Sequence, residues 1–251
     1  MDKKHEKLMS RFGLIGKNID YSFSKSYFTT KFNQEGLTHT YENFDLKSID
    51  NFLDIIKNTQ NLRGLNVTIP YKEAVIPFLD KLDKKASAIG AVNTIKISKN
   101  GTLTGYNTDC YGFKKSILPF LKKHHKKALI LGTGGASKAI AYTLKKLGIE
   151  FYYVSRSTSN ASTYTYETLS EEIIKNHPII INCTPLGTYP NSKNHPLIPY
   201  HAITEAHLLF DLIYNPEETI FLTKGKRKGA SICNGANMLK FQADKAWKIW
   251  N

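Results

Sequence analysis

Short apolar runs alternate with helical or loop segments throughout the second half of the chain. The runs lie at residues 128–132, 149–154, 178–182, 208–214 and 230–233. Runs that are apolar on both faces are typical of strands in a parallel sheet that helices cover on both sides. The pattern therefore predicts a doubly wound parallel α/β domain in this part of the chain.

The first half of the chain predicts a mixed α/β arrangement with an antiparallel edge. Apolar residues at helical spacing follow Ser48, an N-cap candidate, and the alternating stretch 65–69 then reads as a short strand. Further along, two apolar stretches flank Asn100 and Gly101, a pair that favours a type I′ hairpin turn. Helix, strand and hairpin in succession indicate a mixed sheet.

A domain boundary is predicted near residue 108, where the mixed pattern gives way to the regular one. Residues 1–108 then form the first domain and residues 109–235 the second. The closing segment, residues 236–251, is amphipathic at helical spacing. We expect it to form a helix that packs back on the first domain.

The charge of the chain favours anionic ligands without naming one. Its 251 residues carry 35 Lys and Arg against 21 Asp and Glu, a formal net charge of +14. The basic clusters 122–127 and 224–228 lie beside predicted strands and lack the interleaved aromatic residues of a single-strand binding platform. We interpret them as solvated loops, so nucleic-acid binding is only a remote alternative and no nucleic-acid partner is expected.

The cysteines and the N-terminus indicate a cytoplasmic protein. Three cysteines, an odd number without paired-ligand spacing, suggest neither a disulfide framework nor a zinc site, and no metal is predicted. The charged N-terminal residues lead into no apolar signal region, and no apolar stretch approaches the length of a membrane span. Contact with a membrane is therefore not expected.

A glycine-rich turn follows the first strand of the second domain. The strand runs into Gly132, Thr133, Gly134, Gly135 and Ala136, and a helical segment follows. Glycines permit a tight turn and close approach of the backbone, while the helix N-terminus offers free N–H groups to a pyrophosphate. A purely structural turn is the alternative, but the strand–turn–helix context predicts dinucleotide binding.

The end of the next strand indicates which dinucleotide binds. An NAD site places an acidic residue there for the ribose 2′-hydroxyl, whereas NADP sites use an arginine for the 2′-phosphate. This chain has Ser155, Arg156 and Ser157 at that point and no acid. Although Arg156 could be an ordinary surface residue, the pattern favours NADP(H).

Several polar residues of the first half are candidates for a substrate site. Ser22 and Ser24 are predicted in a loop just ahead of a helix, Asn93 at a strand start and Asp109 at the domain junction. Lys72 comes just past the strand end at 65–69, where active-site residues are common. Each has an ordinary alternative: Ser24 as an N-cap, Asn93 as a turn residue, Asp109 as a first-turn acid and Lys72 as a surface lysine.

The motifs, taken in order, resemble the shikimate dehydrogenase family from about Leu14 to Trp250. They are the two serines of "YSFSKSYF", then "GLNVTIPYK", "GAVNT", "GYNTD", "GTGGA", "INCTPLG", "DLIYNP" and "GANMLKFQA". The resemblance implies NADPH-dependent reduction of 3-dehydroshikimate to shikimate in aromatic amino-acid biosynthesis. It also implies a mixed-sheet substrate domain and a Rossmann-like NADP domain separated by a cleft.

Carried over position by position, the resemblance makes Lys72 the catalytic lysine and Asp109 its neighbouring acid. The residues implied around the substrate are Ser22, Ser24, Asn66, Thr68, Asn93, Tyr214 and Gln242, together with the catalytic pair. Those implied for the cofactor are Gly132 to Ala136, Ser155 to Ser157, and Gly235. Hydroxyls and amides of this kind can bind a carboxylate and sort ring hydroxyls. A small-molecule substrate is therefore expected, and the chain could be a monomer or a homodimer.

Six positions depart from the family pattern. In the first motif Asn18 and Tyr21 replace the usual Pro and His, and Lys25 replaces a Pro, so this loop is expected to differ in shape. Ser155 and Ser157 replace Asn and Thr beside the arginine, and Thr188 replaces a Met. Quinate, which carries one more hydroxyl beside the carboxylate, remains an alternative substrate, alone or with shikimate, and NAD an alternative cofactor.

Overall fold

The computed structural model describes residues 9–20, 22–157 and 163–251. The chain folds into two compact units. The first comprises the described residues up to Thr108 together with Ala246–Asn251, and the second comprises those of Asp109–Lys245. Within the described ranges, no helix has the length and apolar character needed to cross a membrane.

The first unit contains a six-stranded mixed sheet. Its strands are β1 (Arg11–Gly16), β2 (Thr40–Asp45), β3 (Leu62–Val67), β4 (Lys81–Leu82), β5 (Thr94–Ile97) and β6 (Leu103–Tyr106). Its helices are α1 (Phe23–Gln34), α2 (Phe52–Asn58), α3 (Tyr71–Ala74) and α4 (Lys84–Ile89). The order is β2-β1-β3-β5-β6-β4, with β5 antiparallel to both β3 and β6, which confirms the predicted mixed α/β class.

Two local predictions in the first unit are wrong in detail. Strand β3 starts three residues before the predicted 65–69 stretch and ends two residues before its end. The hairpin after β5 does not have a type I′ turn, because Gly101 has a positive φ of 85° whereas Asn100 does not have one. Instead Gly101 N–H donates to Ser98 O (2.9 Å), so the loop is one residue longer and glycine alone takes the left-handed conformation.

Both faces of the first sheet are covered. One face packs on a hydrophobic cluster that includes Leu65, Val67 and Ile95. On the other, Trp250 stacks on Phe12 with ring centroids 4.9 Å apart, and its indole N–H donates to Ile95 O (3.0 Å). A Cβ atom on Gly64 would lie 2.3 Å from the indole nitrogen, so glycine is required where the tryptophan crosses the strand.

The second unit contains a parallel sheet, as predicted. Its strands are β7 (Lys127–Leu131), β8 (Glu150–Ser155), β9 (Thr163–Thr165), β10 (Ile179–Asn182), β11 (Leu208–Asp211) and β12 (Ser231–Cys233). Its helices are α5 (Asp109–Ile117), α6 (Gly135–Lys146), α7 (Glu171–Asn176), α8 (Ile220–Lys226) and α9 (Ala236–Trp250), the last of which extends into the first unit from Ala246. The order β9-β8-β7-β10-β11-β12 is that of dinucleotide-binding sheets, so the Rossmann-like class is confirmed.

Strand β11 ends at the buried Asp211, three residues before the end of the predicted strand 208–214. Asp211 has no exposed surface, and its Oδ1 accepts from Ile213 N–H (3.0 Å) and from Asn182 Nδ2 (3.1 Å). Its Oδ2 accepts from the Thr219 hydroxyl (2.6 Å). Because Ile213 N–H bonds this side chain, it cannot continue the strand ladder. Burial raises the pKa of Asp211 to about 6, although the three hydrogen bonds oppose the shift.

Asp211 should therefore make the protein less stable as the pH rises from about 4 to about 7. The folded chain keeps this proton up to a pKa of about 6, whereas the unfolded chain releases it near 3.8. Because the unfolded state binds fewer protons in this range, the free energy of unfolding falls by roughly 3 kcal/mol.

Urea unfolding of the wild type and of Asp211→Asn across this pH range measures the effect. The difference between the two proteins isolates Asp211, since the buried His125 and His177, whose pKa values burial lowers, contribute to both. A difference that stays constant from about pH 4 to about pH 7 would contradict the assignment.

Candidate active site

Lys72 is held in place through its own backbone and that of its neighbour. After β3 the chain makes a tight turn in which Tyr71 N–H donates to Thr68 O (2.9 Å), and Lys72 lies in the short helix α3 that follows. The Tyr71 hydroxyl donates to Leu46 O (2.6 Å), and Lys72 O accepts from Val92 N–H (2.7 Å). Lys72 is half-buried and its backbone is held by hydrogen bonds, whereas an ordinary surface lysine is exposed.

Asn93 connects the start of β5 to the residue before Asp109. Its Oδ1 accepts from Thr108 N–H (2.7 Å), and its Nδ2 donates to the Thr108 hydroxyl (3.0 Å). Asn93 O accepts from Val67 N–H (2.9 Å). Asp109, the first residue of α5, is itself buried. Asn93 is therefore a buried link between two segments, which the alternative of an ordinary turn residue does not explain.

Ser24 lies in α1 rather than in the loop predicted for it. The helix begins at Phe23, so Ser22 occupies the N-cap position and Ser24 the first turn. Ser24 is therefore not the N-cap, and the Ser22 side chain makes no capping hydrogen bond. The Ser24 side chain is buried near Tyr41.

The loop before α1 is fixed by the end of β2. Asp45 accepts hydrogen bonds from Asn18 N–H (3.1 Å) and Ile19 N–H (3.4 Å). Asn18 has a φ of 57°, which a proline ring cannot adopt. At the position where the family has a proline, the backbone of this chain therefore has a conformation that proline could not adopt. Tyr21, the second departure in this loop, lies outside the described residues.

Asn66 belongs to a buried polar network that no sequence motif revealed. Its Oδ1 accepts from the Tyr41 hydroxyl (2.7 Å), and its Nδ2 lies 3.3 Å from both Asn93 O and the Thr94 hydroxyl. Thr94 Oγ1 in turn lies 3.1 Å from Asn93 Oδ1. The network brings Ser24, Asn66 and Asn93 together, and Tyr41 and Thr94 are the members that the sequence did not identify.

The remaining predicted substrate residues lie at the ends of their elements or on α9. Thr68 follows β3 and is half-buried, with its N–H bonded to Ile15 O (2.9 Å). Tyr214 follows β11 and is 36% exposed. Gln242 is buried on α9, where it packs closely against α5: a Cβ atom added to Gly112 would lie 3.2 Å from the Gln242 Cβ. Their contact with a substrate stays a prediction.

The glycine-rich turn lies between the end of β7 and the start of α6. Gly132 has a φ of 100°, and its N–H donates to Val154 O (2.8 Å). Gly134 is the N-cap of α6 and is exposed, while Gly135 and Ala136 form the first turn. The turn thus presents exposed backbone at the N-terminus of a twelve-residue helix. These residues fit a dinucleotide phosphate group.

Arg156 is exposed on a turn that the Ser155 side chain forms. The Ser155 hydroxyl contacts Ser157 O and accepts from Ser157 N–H (3.2 Å). Ser155 is therefore used in shaping the turn, whereas Arg156 and Ser157 are exposed. Burial raises the pKa of Tyr166 to about 12, and the positive charge of Arg156 acts in the opposite direction.

Gly235 lies where no side chain fits. Its N–H donates to Ile213 O (2.9 Å), and a Cβ at this position would lie 2.0 Å from Leu212 O. Asp211 accepts from the N–H of the same residue, Ile213, so the buried carboxylate and Gly235 both hold this segment. The sequence analysis did not identify Asn182 and Asp211, although a polar residue at the end of an apolar strand is a signal that could have pointed to them.

The groups that these residues offer are lysine, carboxylate, amide and hydroxyl. Across residues 9–20, 22–157 and 163–251, no group of three or more His, Cys, Asp or Glu side chains is placed to hold a metal ion. The cysteines of these ranges, Cys110, Cys183 and Cys233, are free thiols.

Comparisons with known proteins agree with the motifs. Residues 14–95 match the model of the shikimate dehydrogenase substrate binding domain. The chain is 38% identical over 259 residues to the shikimate dehydrogenase (NADP(+)) of Methanococcus maripaludis, and the match covers 95% of this chain and 90% of that protein.

Solved structures give the same result. The crystal structure of shikimate dehydrogenase from Aquifex aeolicus matches with a TM-score of 0.87 and 33% identity, and the match covers 97% of this chain and 92% of that one. Quinate dehydrogenase from Corynebacterium glutamicum, in complex with NAD, matches with a TM-score of 0.85 and 26% identity over 97% of this chain and 94% of that one. The chain belongs to the shikimate dehydrogenase family.

Proposed function

We propose that this protein catalyses the reversible, NADP(H)-dependent reduction of 3-dehydroshikimate to shikimate, a step of chorismate and aromatic amino-acid biosynthesis. The observation that carries the proposal is the placement of Lys72, whose carbonyl bonds Val92 N–H one residue before Asn93. Asn93 in turn bonds Thr108, the residue before Asp109. A lysine, an amide and an acid are thus each attached to fixed backbone in a chain that also has a glycine-rich turn at a helix N-terminus.

The two units divide the work in this proposal. The first supplies the substrate residues Ser22, Ser24, Thr68 and Asn93 with the catalytic Lys72, and the second supplies the cofactor turn. Asp109, Tyr214 and Gln242 are proposed as further substrate residues. The expected cytoplasmic location, the monomer or homodimer and the absence of a nucleic-acid partner are parts of the proposal.

Lys72 is the proposed proton donor. When bound, NADPH supplies the hydride that reduces the substrate carbonyl. The Lys72 ammonium stabilises the negative charge that develops on the carbonyl oxygen and gives that oxygen a proton. Asp109 orients the ammonium and accepts a hydrogen bond from a neighbouring substrate hydroxyl.

The hydroxyl and amide side chains provide recognition. Ser22 and Ser24 hydroxyls can donate to the substrate carboxylate, while Thr68, Asn93 and Gln242 can distinguish ring hydroxyls by donor and acceptor geometry. Asn66 has a narrower role, because both of its N–H groups are directed at Asn93 O and Thr94 Oγ1. It can therefore offer a substrate only a lone pair of Oδ1.

The quinate alternative rests on a weaker likeness. The quinate enzyme is 26% identical to this chain, against 38% for the shikimate enzyme of M. maripaludis, and it is in complex with NAD. Arg156, and the absence of an acid beside it, argue for NADP(H). Nucleic-acid binding, the remote alternative, leaves Lys72 and the glycine turn unexplained.

An assay that crosses two acids with two cofactors tests the proposal. Shikimate and quinate are each offered with NADP⁺ and with NAD⁺, and cofactor reduction is followed by absorbance. The highest kcat/KM is expected for shikimate with NADP⁺. Turnover of quinate alone, or of neither acid, would contradict the proposed function.

Replacement of Arg156 tests the cofactor assignment. Arg156→Ala should raise the KM for NADPH by about ten-fold or more and leave that for NADH nearly unchanged, because only NADPH carries the 2′-phosphate. Arg227→Ala removes an exposed positive charge from the same unit and serves as the control. Equal losses with NADPH and NADH would count against the 2′-phosphate contact.

Replacement of the two serines tests the carboxylate site. The double variant Ser22→Ala, Ser24→Ala should raise the Kd for shikimate by about ten-fold or more, since two donors to a charged group are lost, with little change in the Kd for NADP⁺. Ser26→Ala, on the exposed side of the same helix, is the matched control. An unchanged shikimate Kd in the double variant would remove both serines from the site.

Replacement of Lys72 tests the catalytic assignment. Lys72→Ala should lower kcat by roughly 10²-fold or more, the usual scale for a positioned proton donor, while NADPH still binds. Asp109→Asn should also slow turnover, and the double variant should lose less than the product of the two single losses.

Lys85→Ala, which removes an exposed lysine of the same unit, should leave kcat unchanged. Near-normal turnover of Lys72→Ala from about pH 6 to about pH 10 would show that the lysine is not the proton donor, since a general acid cannot be removed without loss of rate.

A further inference from the structure

A line of buried polar side chains crosses the first unit from β2 to the end of β6. The Tyr41 hydroxyl donates to Asn66 Oδ1 (2.7 Å), and Asn66 Nδ2 donates to Thr94 Oγ1 (3.3 Å). Thr94 Oγ1 lies 3.1 Å from Asn93 Oδ1, which also accepts from Thr108 N–H (2.7 Å). All five residues are less than one-tenth exposed. The line therefore ends at the residue that precedes Asp109.

The network permits only one orientation of the Asn66 amide. With Oδ1 toward Tyr41, both N–H groups face acceptors, Asn93 O and Thr94 Oγ1. Rotation of the amide by half a turn would place its oxygen against the Asn93 carbonyl oxygen, and neither atom has a proton to share. Two buried carbonyl oxygens facing each other would be costly, so Asn93 O, which can only accept, sets the direction of the Asn66 amide. The Tyr41 and Thr94 hydroxyls then hold the amide in that direction by bonding Oδ1 and Nδ2.

Tyr41 is suited to remain a neutral donor. Its ring stacks on Phe28 with centroids 4.7 Å apart and lies 6.5 Å from that of Trp250. Burial raises the pKa of its phenol well above the usual value, an effect that the Ser24 side chain only partly offsets. Tyr41 thus keeps its proton for Asn66 and also contacts Ser24.

A hydroxyl in an aromatic cluster requires an explanation beyond packing. Phenylalanine would fill almost the same volume at position 41 without a polar group to satisfy. What the hydroxyl adds is a connection between two residues of the proposed substrate site, Ser24 and Asn66.

We propose that Tyr41 and Thr94 are positioning residues of the substrate site, which hold Ser24, Asn66 and Asn93 in the arrangement that binds the acid. The inference rests on the proposed function, since the ligand it concerns is shikimate. Neither residue is expected to contact the reacting atoms, and both act through the amides that they orient.

Calorimetric titration of Tyr41→Phe and Thr94→Val with shikimate and with NADP⁺ tests the inference. Each variant loses one buried hydroxyl and keeps its shape, so the Kd for shikimate should rise about five-fold or more. The Kd for NADP⁺ should stay within about two-fold of the wild-type value, because the hydroxyls lie in the first unit and the phosphate turn in the second.

Two controls separate positioning from packing. Thr94→Ser keeps the hydroxyl and loses a methyl group, so it should bind shikimate nearly as the wild type does, whereas a packing role would make it the more damaging change. Tyr200→Phe loses an equally short bond, from the hydroxyl to Pro196 O (2.7 Å), in the second unit. It should lower Tm without changing shikimate binding.

The outcomes are distinct. Wild-type shikimate affinity in both Tyr41→Phe and Thr94→Val would overturn the inference and leave the proposed function standing. A Thr94→Ser variant as weak as Thr94→Val would also overturn it, in favour of packing. A wild-type protein that binds NADP⁺ but not shikimate would overturn the proposed function and this inference together.

Discussion

The hydrogen bond from Thr108 N–H to Asn93 Oδ1, 2.7 Å long and buried, is the constraint on which the arrangement of the proposed substrate residues in the first unit depends. It joins the start of β5 to the segment that leads into Asp109. One residue before Asn93, Val92 N–H bonds the Lys72 carbonyl. Val92 and Asn93 therefore connect the backbones that carry both proposed catalytic groups, Val92 through its N–H to Lys72 O and Asn93 through its buried amide to Thr108.

The second unit is organised by an analogous buried group at the carboxyl end of its sheet. Asp211 accepts from Thr219, Asn182 and Ile213, all of them neutral donors, and burial raises its pKa. A buried carboxylate with this set of partners costs stability, so its place in the fold is explained by what it holds. Asp211 fixes Ile213, and the carbonyl of Ile213 accepts a hydrogen bond from the N–H of Gly235, a proposed cofactor residue.

Sequence patterns predicted the elements whose physics is local. The glycine turn before α6 and the strands β7, β8, β10 and β12 lie close to where the pattern placed them, whereas β11 ends three residues early and β9 was not predicted. The hairpin turn at Asn100 and Gly101 was predicted wrongly because the dipeptide preference ignores the bond to Ser98 O that lengthens the loop. Tyr41 was missed because its partner, Asn66, is 25 residues away, and only the folded sheet brings the two together.

A crystal structure of the protein with shikimate and NADP⁺ tests the roles of Lys72 and Asp109 most directly. We expect Lys72 Nζ and an Asp109 carboxylate oxygen both to lie within hydrogen-bond distance, about 3 Å, of the shikimate hydroxyl that is oxidised or of its neighbour. We also expect the NADP⁺ pyrophosphate at Gly134 and Gly135. Shikimate bound away from Lys72, or oriented with its carboxylate toward the lysine instead of toward Ser22 and Ser24, would contradict both assignments.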